Sequence, residues 1–396
     1  MPWAQRSVWR VSLETASRSI STWPEQLEWS LSATDTAYFP CADAATDRSS
    51  HSLVHFPKGQ DLKLPVAELH IHLEGSLEPE TIFALAAKNR IALPYQSVEE
   101  LREQYDFNNL QSFLDLFYAN MAVLRTSEDF HEITRAYLQR AHDSGVRHVE
   151  LFFDPQAHLE RGLTLSDVIS GISAGLDEAK QRWGMTHKLI ACFWRHAPAA
   201  SAMEILQLIV SEKHEIDGIG LDSSELGFPP ELFTEVFAYA REHGLHLVAH
   251  AGEEGPADYI RQALDLLRVE RVDHGIRCLE DPELVTRLVN EQMPLTVCPF
   301  SNVRLRAVDT LADHPLPQML EAGLKVSIHS DDPAYFGGYM DANFSAITEQ
   351  FSLTASQLAT LARNSFDGSF LEAGEKAARV AEVDAWLELQ ADAEPR

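Results

Sequence analysis

The sequence predicts an α/β fold, a (β/α)8 (TIM) barrel, and three observations carry that prediction. Eight apolar runs of strand length recur between Val66 and Ser330, longer amphipathic segments separate them, and histidines and carboxylates gather at the C-terminal ends of the runs. Regular alternation of strand and helix implies parallel pairing, and eight repeats imply a closed barrel, not an open sheet.

The elements follow in chain order. Residues 1–60 are rich in Ser, Thr and Ala and show neither strict alternation nor a sustained helical period. They read as a mostly irregular N-terminal extension, disordered or loosely docked. Its opening, with Arg6, Arg10 and Arg18 among serines, faintly resembles a transit peptide, and a start codon placed too far upstream explains it at least as well. Residues 61–396 read as one barrel domain. Strands are predicted over 66–72, 147–154, 188–194, 216–222, 245–250, 271–274, 294–298 and 325–330. Helical patterns cover 79–90, 130–144, 165–183, 230–243 and 256–267, several of them opened by proline or an acidic first turn. A longer helical insertion, 97–126, follows the first strand, and the acidic segment 374–389 is expected to form a helix that caps the barrel.

Composition narrows the function. The 396 residues include 32 basic and 60 acidic ones, a formal net charge of −28, so phosphate backbones and anionic lipid are repelled at long range. Neither nucleic acid nor a membrane is an expected partner. No run approaches the roughly 18 consecutive apolar residues of a membrane helix. The four cysteines, Cys41, Cys192, Cys278 and Cys298, lie far apart, which argues against a disulfide framework or a thiolate zinc finger and points to a reducing, cytoplasmic setting. Gly-rich phosphate loops and dinucleotide fingerprints are absent. The unusual feature is 17 histidines, several of them closing apolar runs.

At the end of the first strand stands His70-Ile71-His72, where a period of two puts both imidazoles on one face and within reach of one metal ion. The fifth strand ends in His250-Ala251-Gly252-Glu253, the sixth in Asp273-His274-Gly275 and the eighth in His329-Ser330-Asp331-Asp332-Pro333. Barrel enzymes keep their chemistry at these strand ends. Three histidines and a carboxylate form an N/O set suited to Zn²⁺ with a position left for water, although the ligands alone do not choose zinc over iron or manganese. Glu253, three residues beyond a histidine, can face such a site without binding the ion. A closed structural zinc site has no need of that acid, so Glu253 separates catalysis from structure.

The motifs L-H-I-H-L-E-G-S-L, H-A-G-E-E, D-H-G and S-D-D-P, taken together, resemble the adenosine/adenine deaminase family of metal-dependent amidohydrolases. The resemblance runs from Leu64 to about Ala373. G-L-D-S-S-E-L-G, V-A-H-A-G-E-E-G-P, L-T-V-C-P-F-S-N and D-D-P-A-Y-F-G-G-Y are most similar to the adenine deaminase branch, which acts on the free base. The resemblance implies His70, His72, His250 and Asp331 as ligands of one zinc ion per subunit. It further implies that Glu253 protonates ring nitrogen N1, that His274 orients hydroxide and stabilises developing charge, and that Asp332 bonds to N7. The implied reaction is hydrolysis of adenine to hypoxanthine and ammonia in purine salvage, with a small purine base as partner and homo-oligomerisation left open.

Glu74 and Glu225 stand where nucleoside-specific relatives have an aspartate and a glycine. Longer acids at both places are expected to fill the sugar space and bind the N3/N9 edge, favouring adenine over adenosine. The chain departs from the family at His329, usually asparagine, and in its long N-terminal extension. Phe300 and Trp194 also leave N6-substituted adenines of the cytokinin kind open as substrates. A catalytically silent zinc-binding interaction protein is the alternative from another class, and it predicts loss of a ligand, Glu253 or His274; all are present. Asp273 and Glu254 read as outer partners of the motif residues, and His142, His148, His158, His214, His243 and His246 as surface or packing histidines. Cys298 reads as a buried small hydrophobe, and Phe113 with Phe117 as a core pair that could also gate the pocket.

Overall fold

The computed structural model describes residues 63–393, so the expected extension over residues 1–60 lies outside the described residues. Eight parallel strands follow one another in sequence order: β1 (Val66–His72), β2 (Val146–Phe153), β3 (Thr186–Trp194), β4 (Gly218–Asp222), β5 (His246–Ala251), β6 (Arg271–His274), β7 (Pro294–Val297) and β8 (Lys325–Ile328). The ring closes just beyond β8, where Ile71 bridges Asp331, the His72 amide donates to Asp331 O at 3.0 Å and the Asp331 amide to His70 O at 3.1 Å. The barrel seam therefore fixes the backbone of three expected metal ligands.

The strands are apolar throughout because both of their faces are covered, one by the barrel interior and one by the helical ring. Every residue of β1 is buried. Most predicted boundaries shift by one or two residues, and the larger differences have local causes. The helix expected from Phe130 starts at Ser127, because the Thr126 hydroxyl accepts the Asp129 amide in a capping box. The insertion is broken into helices Val98–Arg102 and Leu110–Asn120 and a 3-10 turn, Met121–Val123. The segment expected to be helical over 230–243 divides into a 3-10 turn, Pro230–Phe233, and the helix Thr234–Glu242.

Two features close the N-terminal mouth of the barrel. The terminal helix, Ala373–Ala393, packs on the helix Ala355–Asp367, where Arg363 pairs with Asp384, and reaches the Gly184 carbonyl through Arg379. Phe370 stacks on His246 at 3.9 Å between ring centroids, with the Arg271 guanidinium 4.8 Å over it. Arg271 is fully buried and donates to Glu150 and to the Leu69 carbonyl. Burial would raise the Glu150 carboxyl, but Arg271 and His148 bring it down to about 2. This paired charge fills the barrel floor and leaves the opposite, C-terminal mouth for the site. No helix among the described residues is long and apolar enough to cross a membrane.

Candidate active site

The strand ends deliver their side chains to one point. His70 and His72 come from β1, His250 from β5, His274 from β6 and Asp331 from the turn after β8. Nine described non-glycine residues have positive φ, and six of them follow helices. The other three, Ser223 (φ 72), His274 (φ 63) and Asp331 (φ 64), close β4, β6 and β8 at the site itself. Such conformations are costly for residues with a Cβ and collect where side chains must be re-aimed.

Hydrogen bonds set the ring orientations. Thr296 donates its hydroxyl to Asp273 Oδ1 at 2.8 Å, so it accepts from His70 Nδ1 at 2.9 Å, and His70 is left with a bare Nε2. His250 Nδ1 lies 3.7 Å from Asp273 Oδ2, and His72 Nδ1 lies 3.7 Å from Asp222 Oδ2. The three Nε2 edges therefore converge: His72 and His250 approach to 3.2 Å, and His70 lies 3.3 Å from Asp331 Oδ1. Facing lone pairs at that separation repel unless a cation sits among them, and the donors are the N/O mixture that zinc accepts. The chain thus carries a buried His/Asp group able to hold a metal ion. Geometry alone offers three overlapping sets among the described residues: His70, His250, His274 and Asp331 form one compact group, His72 shares Asp331 with Asp332 in another, and His72 meets Asp154 and Asp222 in a third. Asp273, expected as an outer partner, is fully buried, accepts the Thr296 hydroxyl that meets His70 and lies 3.7 Å from His250 Nδ1.

Glu253 Oε2 stands 3.6 Å from His274 Nε2. Burial, reinforced by the nearby Asp331, Glu225 and Glu254 carboxylates, holds the Glu253 carboxyl well above its ordinary range, which favours its protonated form. Asp332 is raised the same way, by burial and then Asp331, and its Oδ1 is buried with no hydrogen-bond partner. A Cβ on Gly75 would stand 2.1 Å from that oxygen, which is why only glycine fits beside it. Over these groups lie Phe113, Phe117 and Tyr118 from the helix Leu110–Asn120. That helix is tied down where the Leu110 amide donates to Glu254 Oε1 at 3.1 Å. The aromatic pair of the insertion is both core and cavity wall.

The structure places two residues expected at the substrate, Glu225 and Glu74, behind the cavity lining. Glu225 does not line the cavity: its Oε1 accepts the Gly252 amide at 2.7 Å, and its Oε2 accepts those of Glu253, Glu254 and Gly255 at 3.1, 2.7 and 2.7 Å. A carboxylate so engaged holds the Glu253 loop and has little left for a ligand. Glu74 does not line the cavity either: its Oε1 accepts from the Asp154 amide at 3.2 Å and pairs with His158 at 2.6 Å, while its buried Oε2 has no hydrogen-bond partner. His158, read as ordinary packing, is thus its partner. The polar wall opposite Glu253 is instead built by Asp222, Ser223 and Tyr118, backed by Trp194 Nε1 donating to Asp154 Oδ2 at 2.8 Å. The usable signal was position, since Asp154 and Asp222 close their strands as His250 and His274 do. His329 does not face the metal group. The Leu69 amide donates to its Nδ1 at 3.0 Å, so its Nε2–H donates to Ser327 Oγ at 2.8 Å, and the ring staples β1 to β8 as a neutral group.

The adenosine deaminase family pattern matches residues 65–386. The chain belongs to the adenosine deaminase family. An adenine deaminase from Sphingopyxis alaskensis is 54% identical over 323 residues, covering 82% of this chain and 95% of that protein. The crystal structure of an adenine deaminase from Arthrobacter aurescens is 55% identical, with a TM-score of 0.81 over 82% of this chain and 99% of that one. An amidohydrolase from Burkholderia ambifaria with bound Zn is 29% identical, with a TM-score of 0.77 over 83% of this chain and 92% of that one. The family and the barrel expected from the motifs are thereby borne out.

Within this family member, Glu225 offers a test of loop positioning. Replacing it with glutamine turns one acceptor oxygen into an NH₂ group that confronts backbone N–H donors, leaving buried groups unpaired. The expected result is a lower melting temperature and a turnover reduced about 100-fold by displacement of Glu253, which thermal unfolding and steady-state kinetics read together. Unchanged kinetics would refute the positioning role.

Proposed function

We propose that this chain hydrolyses free adenine, with water, to hypoxanthine and ammonia, and that one zinc ion per chain is held by His70, His72, His250 and Asp331. The observation that carries the reading is Glu253, a buried carboxyl 3.6 Å from His274 Nε2 beside the convergent histidines, with burial holding it above its ordinary range. When bound, zinc supplies an activated water at neutral pH, since it lowers the pKa of water from about 15.7 toward 7.

Glu253 gives its proton to N1, which removes aromatic resistance to attack at C6; the carboxylate so formed then takes the proton of the hydroxyl added at C6 and passes it to the amine, which leaves as ammonia as the C6 carbonyl forms. Asp332, whose carboxyl burial and then Asp331 push upward, bonds to N7, a pure acceptor in the purine, through its protonated form. His274 orients the attacking oxygen. The N3/N9 edge faces Asp222 and Ser223 and not Glu225 or Glu74. Tyr118, which lines the cavity, packs edge-on against Trp194 with ring centroids 4.9 Å apart, a wall that supports a base over a nucleoside. The relatives named adenine deaminase support the choice of base. A cytoplasmic setting in purine salvage fits three described cysteines that are buried free thiols.

Ammonia release by the zinc-loaded protein from adenine, adenosine and N6-isopentenyladenine, measured side by side, tests the proposal. Turnover of adenine alone is expected. Activity on adenosine or the N6-substituted base without adenine would overturn the pocket assignment, and silence on all three would overturn the function.

A further inference from the structure

We propose that Asn302 and His314 act as positioning residues that lock His274 in the tautomer whose Nε2 carries the hydrogen. The inference deepens the proposed function and rests on its use of His274 as a hydrogen-bond donor at the reacting centre.

Leu316 opens the helix Leu316–Glu321, so its amide N–H has no acceptor within the helix, and it donates to His314 Nδ1 at 3.1 Å. A backbone N–H can only donate, so His314 Nδ1 presents a lone pair. His314 is 3% exposed, and burial pushes it down to about 4, so the ring is neutral and its single hydrogen sits on Nε2. That Nε2–H lies 3.1 Å from Asn302 Oδ1, and only the amide oxygen can accept it. The amide of Asn302 is thereby fixed, with its NH₂ end toward His274 Nδ1 at 3.5 Å. An NH₂ group donates, so His274 Nδ1 presents a lone pair in turn. The hydrogen of the neutral His274 ring is left on Nε2, facing Glu253 Oε2 at 3.6 Å and Asp331 Oδ2 at 3.8 Å.

His70 has the opposite polarity: its Nδ1–H is given to Thr296, and its Nε2 is bare. One barrel mouth thus holds rings of both kinds, set by what stands behind each. The lock bears on the choice among the overlapping donor groups. With its Nε2 protonated, His274 cannot serve as a ligand through that atom, and His72 completes the set with His70, His250 and Asp331. It also keeps an N–H donor fixed where negative charge develops, with no reorganisation during reaction. All members of the relay are buried, and the chain fixes both ends: the His274 backbone ends β6, and Leu316 opens a helix.

Ring-nitrogen NMR on ¹⁵N-histidine-labelled, zinc-loaded protein reads the tautomer directly and without substrate, so it stands apart from the identity of the substrate. The His274 signals are assigned by their loss in His274→Gln. In the parent, His274 is expected to show a protonated Nε2 and an unprotonated Nδ1; the reverse pattern overturns the proposal outright, with no variant needed. Asn302→Asp keeps the shape but offers only acceptors, so the hydrogen should move to His274 Nδ1, with turnover of adenine falling about 100-fold or more. His314→Gln retains an N–H aimed at Asn302 and should keep the parent tautomer and turnover within about threefold. Loss of turnover in Asn302→Asp with the parent tautomer retained would mark Asn302 as merely structural and overturn the lock.

Discussion

Replacing Glu253 with glutamine is expected to lower kcat for adenine by about 10³- to 10⁴-fold while the metal stays bound and the fold stays intact. Glutamine matches the shape and can still donate a hydrogen bond, but it cannot release a proton to N1 or carry one to the leaving amine. The loop keeps its position because Glu225 holds it through backbone amides, the Glu253 amide included, and not through the Glu253 side chain. The pH dependence has a definite sign. Burial raises the Glu253 carboxyl, so the active, protonated form is depleted as pH climbs through the elevated value, and kcat/KM should fall on that alkaline limb. Stability follows the same linkage. An acid whose folded pKa lies above its unfolded value stabilises the fold at low pH, and that contribution declines as pH rises between the two values. Glutamine has no charge to acquire, so the variant should melt no lower than the parent at pH 8. Activity loss without loss of melting temperature distinguishes a proton carrier from a structural acid; near-normal turnover would remove Glu253 from its role.

The asymmetry between what the sequence disclosed and what it concealed has a physical origin. Strand ends are legible because parallel strands covered on both faces need apolar runs, and a histidine or carboxylate that closes such a run stands out against it. His70 and His72 were legible for a second reason, since a period of two decides their common face. Glu225 and Glu74 stood in the right neighbourhood, but a carboxylate can serve a ligand or a loop, and nothing in the chain order of residues 225 and 252–255 reveals four amides turned toward one side chain. The Asn302–His314 relay was invisible because its links are side chains of a loop and a short helix, with no periodicity to expose them. Asp273 was read as an outer partner on the chemistry of metal-bound histidines, and its contacts with Thr296 and near His250 agree with that reading.

Removal of the metal by a chelator is expected to abolish turnover of adenine, and addition of zinc to restore it. His72 Nε2 and His250 Nε2 lie 3.2 Å apart, and the Nε2 atoms of both His70 and His72 face Asp331 Oδ1, at 3.3 and 3.6 Å. Without a cation, the lone pairs of three nearly buried rings and a carboxylate crowd one point, and one ring must protonate, rotate or admit water. Burial, with the neighbouring histidines, holds His250 well below its ordinary range, so protonation there is unfavourable at neutral pH. The metal-free barrel should therefore melt lower, and zinc at about a thousand times its dissociation constant should restore about 4 kcal/mol. The seam between β8 and β1 passes through the backbone of His70, His72 and Asp331, so loosening this group also loosens barrel closure, and amide exchange should rise first at Ile71, His72 and Asp331. Chelation that leaves turnover, melting and exchange unchanged would refute the metal assignment. Loss of turnover with unaltered seam exchange would separate the chemistry of the site from its part in closing the barrel.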